Sequence, residues 1–167
     1  MLINLTDTDF DHCVQLTKTH LATCKQRGAK QAYNHPENLD FEHVLQGYLG
    51  EQAVANYFKY ETVYKPYNKS EYDILGYEVR TVYYSKAILI THPEDKPGNY
   101  ILVSINKNEM VATLKGWSDL ERCNLWQSNW KYKWREPCFG MDELQLWPMD
   151  MLPATPELIA HQMRLAA

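Results

Sequence analysis

The feature that most constrains the fold is a change of hydrophobic period about one third of the way along the chain. Before residue 60, apolar residues recur at the spacing of amphipathic helices, which predicts helices over residues 8–28 and 41–59, the second with Asp40 as N-cap. After residue 60 the chain breaks into short β-branched and aromatic segments. We predict strands in TVYK, YDIL, YEVRTVYY, AILIT, NYILVSI and MVATLKG. The turn sequences HPEDKPGN and NKNE between them predict a meander of β-hairpins.

The chain length favours one domain with a sizeable core, because 167 residues fall within the usual size of a single domain. We therefore predict an α/β (α+β) domain over residues 1–167. An N-terminal helix and loop occupy residues 1–40, and a core helix with the strands occupies residues 41–116. An aromatic-rich segment, residues 117–167, ends in the predicted helix TPELIAHQMRLAA.

Composition excludes several classes of protein. The longest apolar run, AILI, is too short to cross a bilayer, and the N-terminus has no export signal, so we expect a cytoplasmic protein with no membrane partner. For a phage-encoded chain this means the host cytoplasm. The net charge of −4 argues against wrapping nucleic acid through bulk positive charge, although it leaves room for a local basic groove. The four cysteines, none in a CxxC pair, are interpreted as reduced core residues.

Glu51 is an acidic residue in the middle of the apolar stripe of the second predicted helix. At about 100° per residue, Val44, Tyr48 and Ala55 fall in the same narrow sector. Burying a polar group without a partner costs on the order of 2–7 kcal/mol, so Glu51 needs a partner. Either a nearby Arg, a Tyr or solvent satisfies it, or it points toward a cation that the sheet also holds.

Two carboxylates come together in the segment SEYDILGYEVRTV. A two-residue hairpin loop at Leu75 and Gly76 would place Asp73 directly opposite Glu78, and strand alternation puts Arg80 on the same face as Glu78. Like charges in such a pair are destabilising. A divalent cation with a preference for oxygen ligands, such as Mg²⁺, would stabilise them, and so would an Asp–Arg–Glu ion-pair cluster without metal.

These residues resemble the PD-(D/E)XK nuclease superfamily, which has the restriction-endonuclease-like fold. The similarity comprises an acid on the helix GYLGEQAVANYF, an aspartate opening a strand, and Glu-x-basic on the next strand. The succession YEVRT, LITHPED, YILV and GW also resembles small nuclease-like proteins encoded by phages and bacteria. The resemblance implies a central mixed β-sheet of short strands flanked by helices. It also implies Mg²⁺ or Mn²⁺ held by Glu51, Asp73 and Glu78, with Arg80 as the fourth catalytic residue in hydrolysis of a DNA phosphodiester.

The chain departs from the superfamily pattern at Arg80, because lysine is usual at that position. Arginine keeps its charge and can clamp a phosphate through two bonds, but it does not readily give up a proton. We therefore expect Arg80 to stabilise developing negative charge. Lys86 is a candidate displaced catalytic lysine or nucleic-acid contact, and an exposed turn residue is the interpretation we favour. Two further readings are a catalytically inactive nuclease fold that binds DNA or protein, and a purely structural ion network.

The segment WQSNWKYKWRE interleaves tryptophans with Lys131, Lys133 and Arg135. Aromatic rings with cations suit contact with unpaired bases and phosphates, which makes these residues candidate DNA ligands. The four-residue spacing of the tryptophans also describes a helix that packs one stripe on the core, and we favour that reading. We expect DNA as the partner, with a homodimer or a host protein target as alternatives.

The segment THPEDKP places His92, Glu94 and Asp95 within a few residues of one another. All three are metal-type ligands. Pro, Asp and Lys in such a cluster are also typical of a solvated turn, which is the interpretation we favour.

Overall fold

A computed structural model describes residues 1–26, 37–62, 71–83, 86–92, 94–125 and 139–166. These residues form a mixed α/β structure with four α-helices and six strands. In chain order the elements are β1 (Leu2–Asn4), α1 (Asp7–Gln26), α2 (Glu37–Phe58), β2 (Tyr77–Val82), β3 (Ile88–Thr91), β4 (Asn99–Asn106), β5 (Val111–Asp119), α3 (Leu120–Leu125), β6 (Phe139–Asp142), short 3₁₀ turns at Glu143–Gln145 and Met149–Met151, and α4 (Pro156–Leu165).

Three of the four described helices, α1, α2 and α4, lie where the sequence predicts helices, whereas α3 was not predicted. The predicted end of the first helix at residue 28 lies outside the described residues. Helix α2 begins at Glu37, four residues before the predicted start, so the prediction of Asp40 as N-cap is wrong. Asn and Asp favour a helix end but are also accepted in a first turn, and they did not stop this helix. The C-terminal helix α4 is confirmed, and Thr155 caps it by accepting a hydrogen bond from the Leu158 backbone N–H at 3.1 Å.

The strands do not form the predicted meander. The main sheet has the order β1-β5-β4-β2, and β3 pairs with β6 in a separate two-stranded sheet. Strands β4 and β5 form the predicted hairpin around NKNE, but β2 lies parallel to β4. Parallel neighbours need a crossover connection, and here the crossover contains β3. The segment HPEDKPGN, predicted as a hairpin turn, therefore connects strands of two different sheets.

Strand β4 is the centre of the core because both of its faces are covered. Ile101 and Val103 pack in a cluster with α2, whereas Tyr100 and Leu102 pack in a second cluster with β3, β6 and α3. A strand that is buried on both faces has a nearly continuous run of apolar residues in its sequence, as in NYILVSI.

A close helix–sheet contact fixes α2 against β2. A Cβ added to Gly50 would lie 1.8 Å from the Thr81 hydroxyl oxygen, so only glycine permits this approach. The Gln46 side-chain amide also donates to the Thr81 backbone carbonyl. The contact fixes one face of α2 against β2 near the carboxyl end of the strand. None of the described helices is long and apolar enough to cross a membrane.

Candidate functional site

The predicted two-residue turn before β2 is present. Ile74 and Tyr77 exchange backbone hydrogen bonds of 3.1 and 2.8 Å. The turn residues Leu75 and Gly76 have φ angles of 48° and 84°. Positive φ at both central residues is the geometry of the tight hairpin turn whose twist matches paired strands. The segment YDIL contributes only this single bridge, so the predicted strand there is wrong.

Asp73 is held beside β2 by its side chain. Its Oδ2 accepts a hydrogen bond from the Val79 backbone N–H at 2.8 Å. The side-chain carboxylate thus takes the place that a backbone carbonyl would have in a longer hairpin. This contact ends the hairpin after one bridge and brings the Asp73 carboxylate toward Glu78.

The four catalytic candidates all line one cavity of about 470 Å³. Glu51 comes from α2, Asp73 from the segment before the turn, and Glu78 and Arg80 from β2. The apolar stripe that contains Glu51 faces this cavity through Val44, Gly47 and Tyr48. The buried positions of α2 include Leu45, Leu49, Ala53 and Val54, and Ala55 of the Glu51 stripe is buried as well.

Glu78 is a buried carboxylate between two cations. The residue is 7% exposed. Its Oε2 lies 3.2 Å from Arg80 Nη1, and its Oε1 lies 2.6 Å from Lys96 Nζ. Each oxygen therefore has its own positive neighbour.

Arg80 joins Glu78 to a second acid in the connection between β3 and β4. Its Nη2 lies 3.1 Å from Asp95 Oδ2, and its guanidinium carbon lies 5.1 Å from the centre of the Tyr100 ring. Burial lowers the pKa of Arg80, but the Asp95 and Glu78 carboxylates outweigh burial and leave the pKa above its usual value. Arg80 is a permanent cation.

Asp73 holds its proton more tightly than an ordinary aspartate. Burial first, and the Glu78 carboxylate second, raise the pKa of Asp73 to about 6, against the lowering influence of the Val79 N–H, Arg80 and Lys96. Two neighbouring carboxylates of this kind resist being ionised together unless a cation joins them. The cavity therefore disfavours the ionisation of Asp73 while Glu78 is ionised.

The sequence analysis missed Lys96. Its ammonium donates to the Glu71 backbone carbonyl and lies 4.4 Å from the centre of the Tyr72 ring, in addition to its contact with Glu78. The segment THPEDKP is a turn, as expected, because Asp95 accepts a hydrogen bond from the His92 N–H at 2.9 Å. Glu94, Asp95 and Lys96 of this segment also line the cavity. The position of a basic residue next to the two recognised acids was the sequence feature that could have identified Lys96.

Of the other basic candidates, the structure describes Lys86 alone. Lys86 is exposed and does not line the cavity. Lys131, Lys133 and Arg135 fall outside the described residues, so their predicted DNA contacts remain predictions.

The charges around the cavity are predominantly negative. Two basic side chains line it, those of Arg80 and Lys96. Six acids also line it: Glu51, Glu71, Asp73, Glu78, Glu94 and Asp95. Over the ranges that the structure describes, no group of three or more His, Cys, Asp or Glu side chains is arranged to hold a metal ion. Asp73 and Glu78 are the pair whose charges act on each other. Such a pair fits Mg²⁺, which binds one or two carboxylates and completes its shell with water and phosphate oxygens.

Aromatic residues form part of the remaining lining. His20 Nδ1 lies 3.1 Å from the Tyr48 hydroxyl, and their rings meet edge to face at 6.0 Å. Burial lowers the pKa of His20, which favours the neutral ring at pH 7. Tyr60 and Tyr72 also line the cavity. Comparisons with protein-family models, with curated proteins and with solved structures give no match for this chain.

Proposed function

We propose that the chain is a magnesium-dependent nuclease that hydrolyses DNA phosphodiesters, built on a restriction-endonuclease-like core. The observation that carries the proposal is the convergence of Glu51, Asp73, Glu78 and Arg80 on one cavity. These residues come from a helix, a turn and a strand, and the superfamily resemblance selects all four.

Asp73 and Glu78 would hold the metal, with Glu51 on the wall formed by α2. Burial first and repulsion from Glu78 second raise the pKa of Asp73. That repulsion and the excess of acids around the cavity both favour a bound cation. Bound Mg²⁺ would polarise a phosphate oxygen and lower the pKa of a coordinated water. Mn²⁺ takes similar oxygen ligands and would substitute for it.

Arg80 and Lys96 bind the phosphate in this proposal. The ion pairs of Arg80 with Glu78 and Asp95 occupy two of the five N–H donors of its guanidinium, which leaves donors for a phosphate oxygen. Lys96 brings a lysine to the Glu78 carboxylate from the β3–β4 connection, while arginine occupies the position where the superfamily usually has lysine. Together they stabilise the negative charge that develops on the phosphate.

A catalytically inactive protein that binds DNA or a protein partner is the second candidate. The observation in its favour is that Glu78 is already paired with two cations, as in a structural ion network. Buried ion pairs of this kind also occur without any catalytic role.

The test is DNA cleavage by the purified chain in Mg²⁺ and in Mn²⁺, with plasmid, linear duplex and single-stranded DNA as substrates. We expect metal-dependent products from the wild type and none from the Asp73→Asn variant, while a Lys86→Ala variant cleaves as the wild type does. Binding without cleavage by a folded wild type in either metal would reject the nuclease and favour the second candidate.

A further inference from the structure

The cavity has a wall that combines two rings with aliphatic residues, which we call the aromatic wall, and the hydrolytic chemistry does not use it. We define this wall by Leu16 and His20 of α1 and by Val44, Gly47 and Tyr48 of α2. The acids and cations come instead mainly from the turn, β2 and the β3–β4 connection. The two parts of the lining thus belong to different elements and differ in chemistry.

The rings near this wall are held in place by their polar atoms. The Tyr48 hydroxyl is bonded to His20, and neither group carries a charge when His20 is neutral. Tyr72, which borders the cationic part, donates its hydroxyl proton to the Pro97 carbonyl at 2.6 Å. Rings positioned in this way offer apolar surface with little ordering cost for an incoming planar group.

Gly47 keeps space open at the wall. A Cβ built on this residue meets no atom within 4 Å, in contrast to Gly50 on the same helix, which lies against Thr81. Glycine in a helix interior costs about 1 kcal/mol relative to alanine. Since packing does not demand glycine at position 47, the open space is available to a ligand.

We propose that the aromatic wall accepts one unpaired nucleobase while Arg80 and Lys96 bind its phosphate, so that the substrate is single-stranded DNA or a frayed end. This inference rests on the proposed function. A cavity of about 470 Å³ lies in the range of about 300–1,000 Å³ that takes small ligands of nucleotide size. Bases inside a duplex are stacked on both faces, whereas unpaired bases stack on aromatic side chains.

The test measures binding of a fluorescent single-stranded oligonucleotide and of a blunt hairpin by anisotropy, with Ca²⁺ as the divalent ion. We expect the wild type to prefer the single strand. Gly47→Phe fills the open space and should weaken single-strand binding about tenfold or more, which is the order of one lost base stack. The matched control is Gln15→Phe, which adds the same ring at an exposed position of α1.

A second variant covers the outcome that Gly47→Phe does not fold. Tyr48→Leu keeps an apolar side chain but removes the ring, and it should also lose the single-strand preference. Equal wild-type affinity for the hairpin and the single strand would overturn the inference, and so would unchanged single-strand binding by a folded Gly47→Phe variant.

Cleavage assays separate this inference from the proposed function. Metal-dependent cleavage of duplex at the same rate as single strand would leave the nuclease in place and overturn the unpaired-base site. Loss of single-strand binding in Gly47→Phe, in a protein that cleaves no DNA, would support the base site and reject the nuclease.

Discussion

Two polar networks of this protein differ in how completely their donors, acceptors and charges are paired. The first, which we call the amide network, joins α1 to α2 through Asp9, His12, Gln52, Asn56 and Thr62. Gln52 Nε2 donates to Asp9 at 3.1 Å and to Asn56 at 2.8 Å, and Gln52 Oε1 accepts from the Thr62 hydroxyl at 2.6 Å. The hydroxyl of Thr62 in turn meets His12 at 3.1 Å. Donors and acceptors alternate throughout.

The second, which we call the cavity cluster, comprises Asp73, Glu78, Arg80, Asp95 and Lys96. Here three carboxylates share two cations next to an open cavity, and the pKa of Asp73 is raised to about 6 by burial and by Glu78. A network whose donors and acceptors are paired stabilises a helix pair, whereas a cluster with more carboxylates than cations at a cavity favours binding of a ligand. The difference suggests a structural role for the first and a functional role for the second.

The largest expected effect comes from Glu78→Gln, which removes a carboxylate from the cavity cluster. Metal-dependent DNA cleavage should fall at least about 100-fold, because a bound metal supplies several kcal/mol of charge stabilisation in the transition state. Initial rates on a labelled single strand measure it. The conservative variant Glu78→Asp, which keeps the carboxylate, should recover part of the rate. Wild-type rates in Glu78→Gln would remove the cavity cluster from the chemistry.

Gln52→Leu should affect stability and leave cleavage unchanged, the reverse of Glu78→Gln. Gln52 is 7% exposed, and its loss leaves Asp9, Asn56 and Thr62 each without one hydrogen bond. We expect the free energy of unfolding to fall by about 3 kcal/mol, measured by urea denaturation. The exposed Gln15→Leu serves as control. A stable Gln52→Leu variant with reduced cleavage would contradict the division between the two networks.

The pH dependence of stability should reveal Asp73. Because its pKa in the folded state lies above the ordinary value of 3.8, the stabilising neutral form is complete below about pH 4 and is lost as the pH rises through about 6. Without metal, the wild type should therefore lose on the order of 2 kcal/mol over this interval relative to Asp73→Asn. Parallel urea curves for both proteins from pH 4 to pH 8 measure the difference. A constant difference across this range would show that Asp73 has an ordinary pKa.

The smallest effect is expected for an ion pair outside both networks. Lys107 and Glu42 pair on the surface, where their side chains are 47% and 52% exposed. Exposed pairs contribute about 0–1 kcal/mol, so Glu42→Gln should change the free energy of unfolding by less than about 1 kcal/mol. Thermal or urea denaturation measures this change in the free energy of unfolding. A larger loss would mean that ion pairs have large effects in this protein wherever they lie. The behaviour of the cavity cluster would then follow from its ion pairs and not from its position at the cavity.

Local sequence predicted the parts of the site that depend on neighbouring residues. The turn at Leu75 and Gly76 and the shared face of Glu78 and Arg80 follow from strand alternation and tight-turn geometry. The position of Glu51 follows from helical spacing, although Glu51, Val44 and Tyr48 of its stripe line a cavity while Ala55 of the same stripe is buried in the core.

The remaining features depend on contacts between distant residues. Nothing in the local pattern of β2 and β3 distinguishes a hairpin from a parallel crossover, and the pairing of β3 with β6 decides it. Lys96 looks like one residue of a polar turn, and only the parallel pairing of β2 with β4 brings that turn beside Glu78. The position of Lys96 at the cavity therefore depends on the sheet topology.

The central claim is that the carboxylates of the cavity cluster bind a divalent metal. Thermal unfolding at pH 8, with and without Mg²⁺, tests it most directly in the wild type and in Glu78→Gln. The account predicts that Mg²⁺ raises the wild-type melting temperature by about 4 °C or more and leaves Glu78→Gln unchanged, since a ligand stabilises only a fold that binds it. A wild type that Mg²⁺ does not stabilise, or an equal shift in both proteins, would contradict the account.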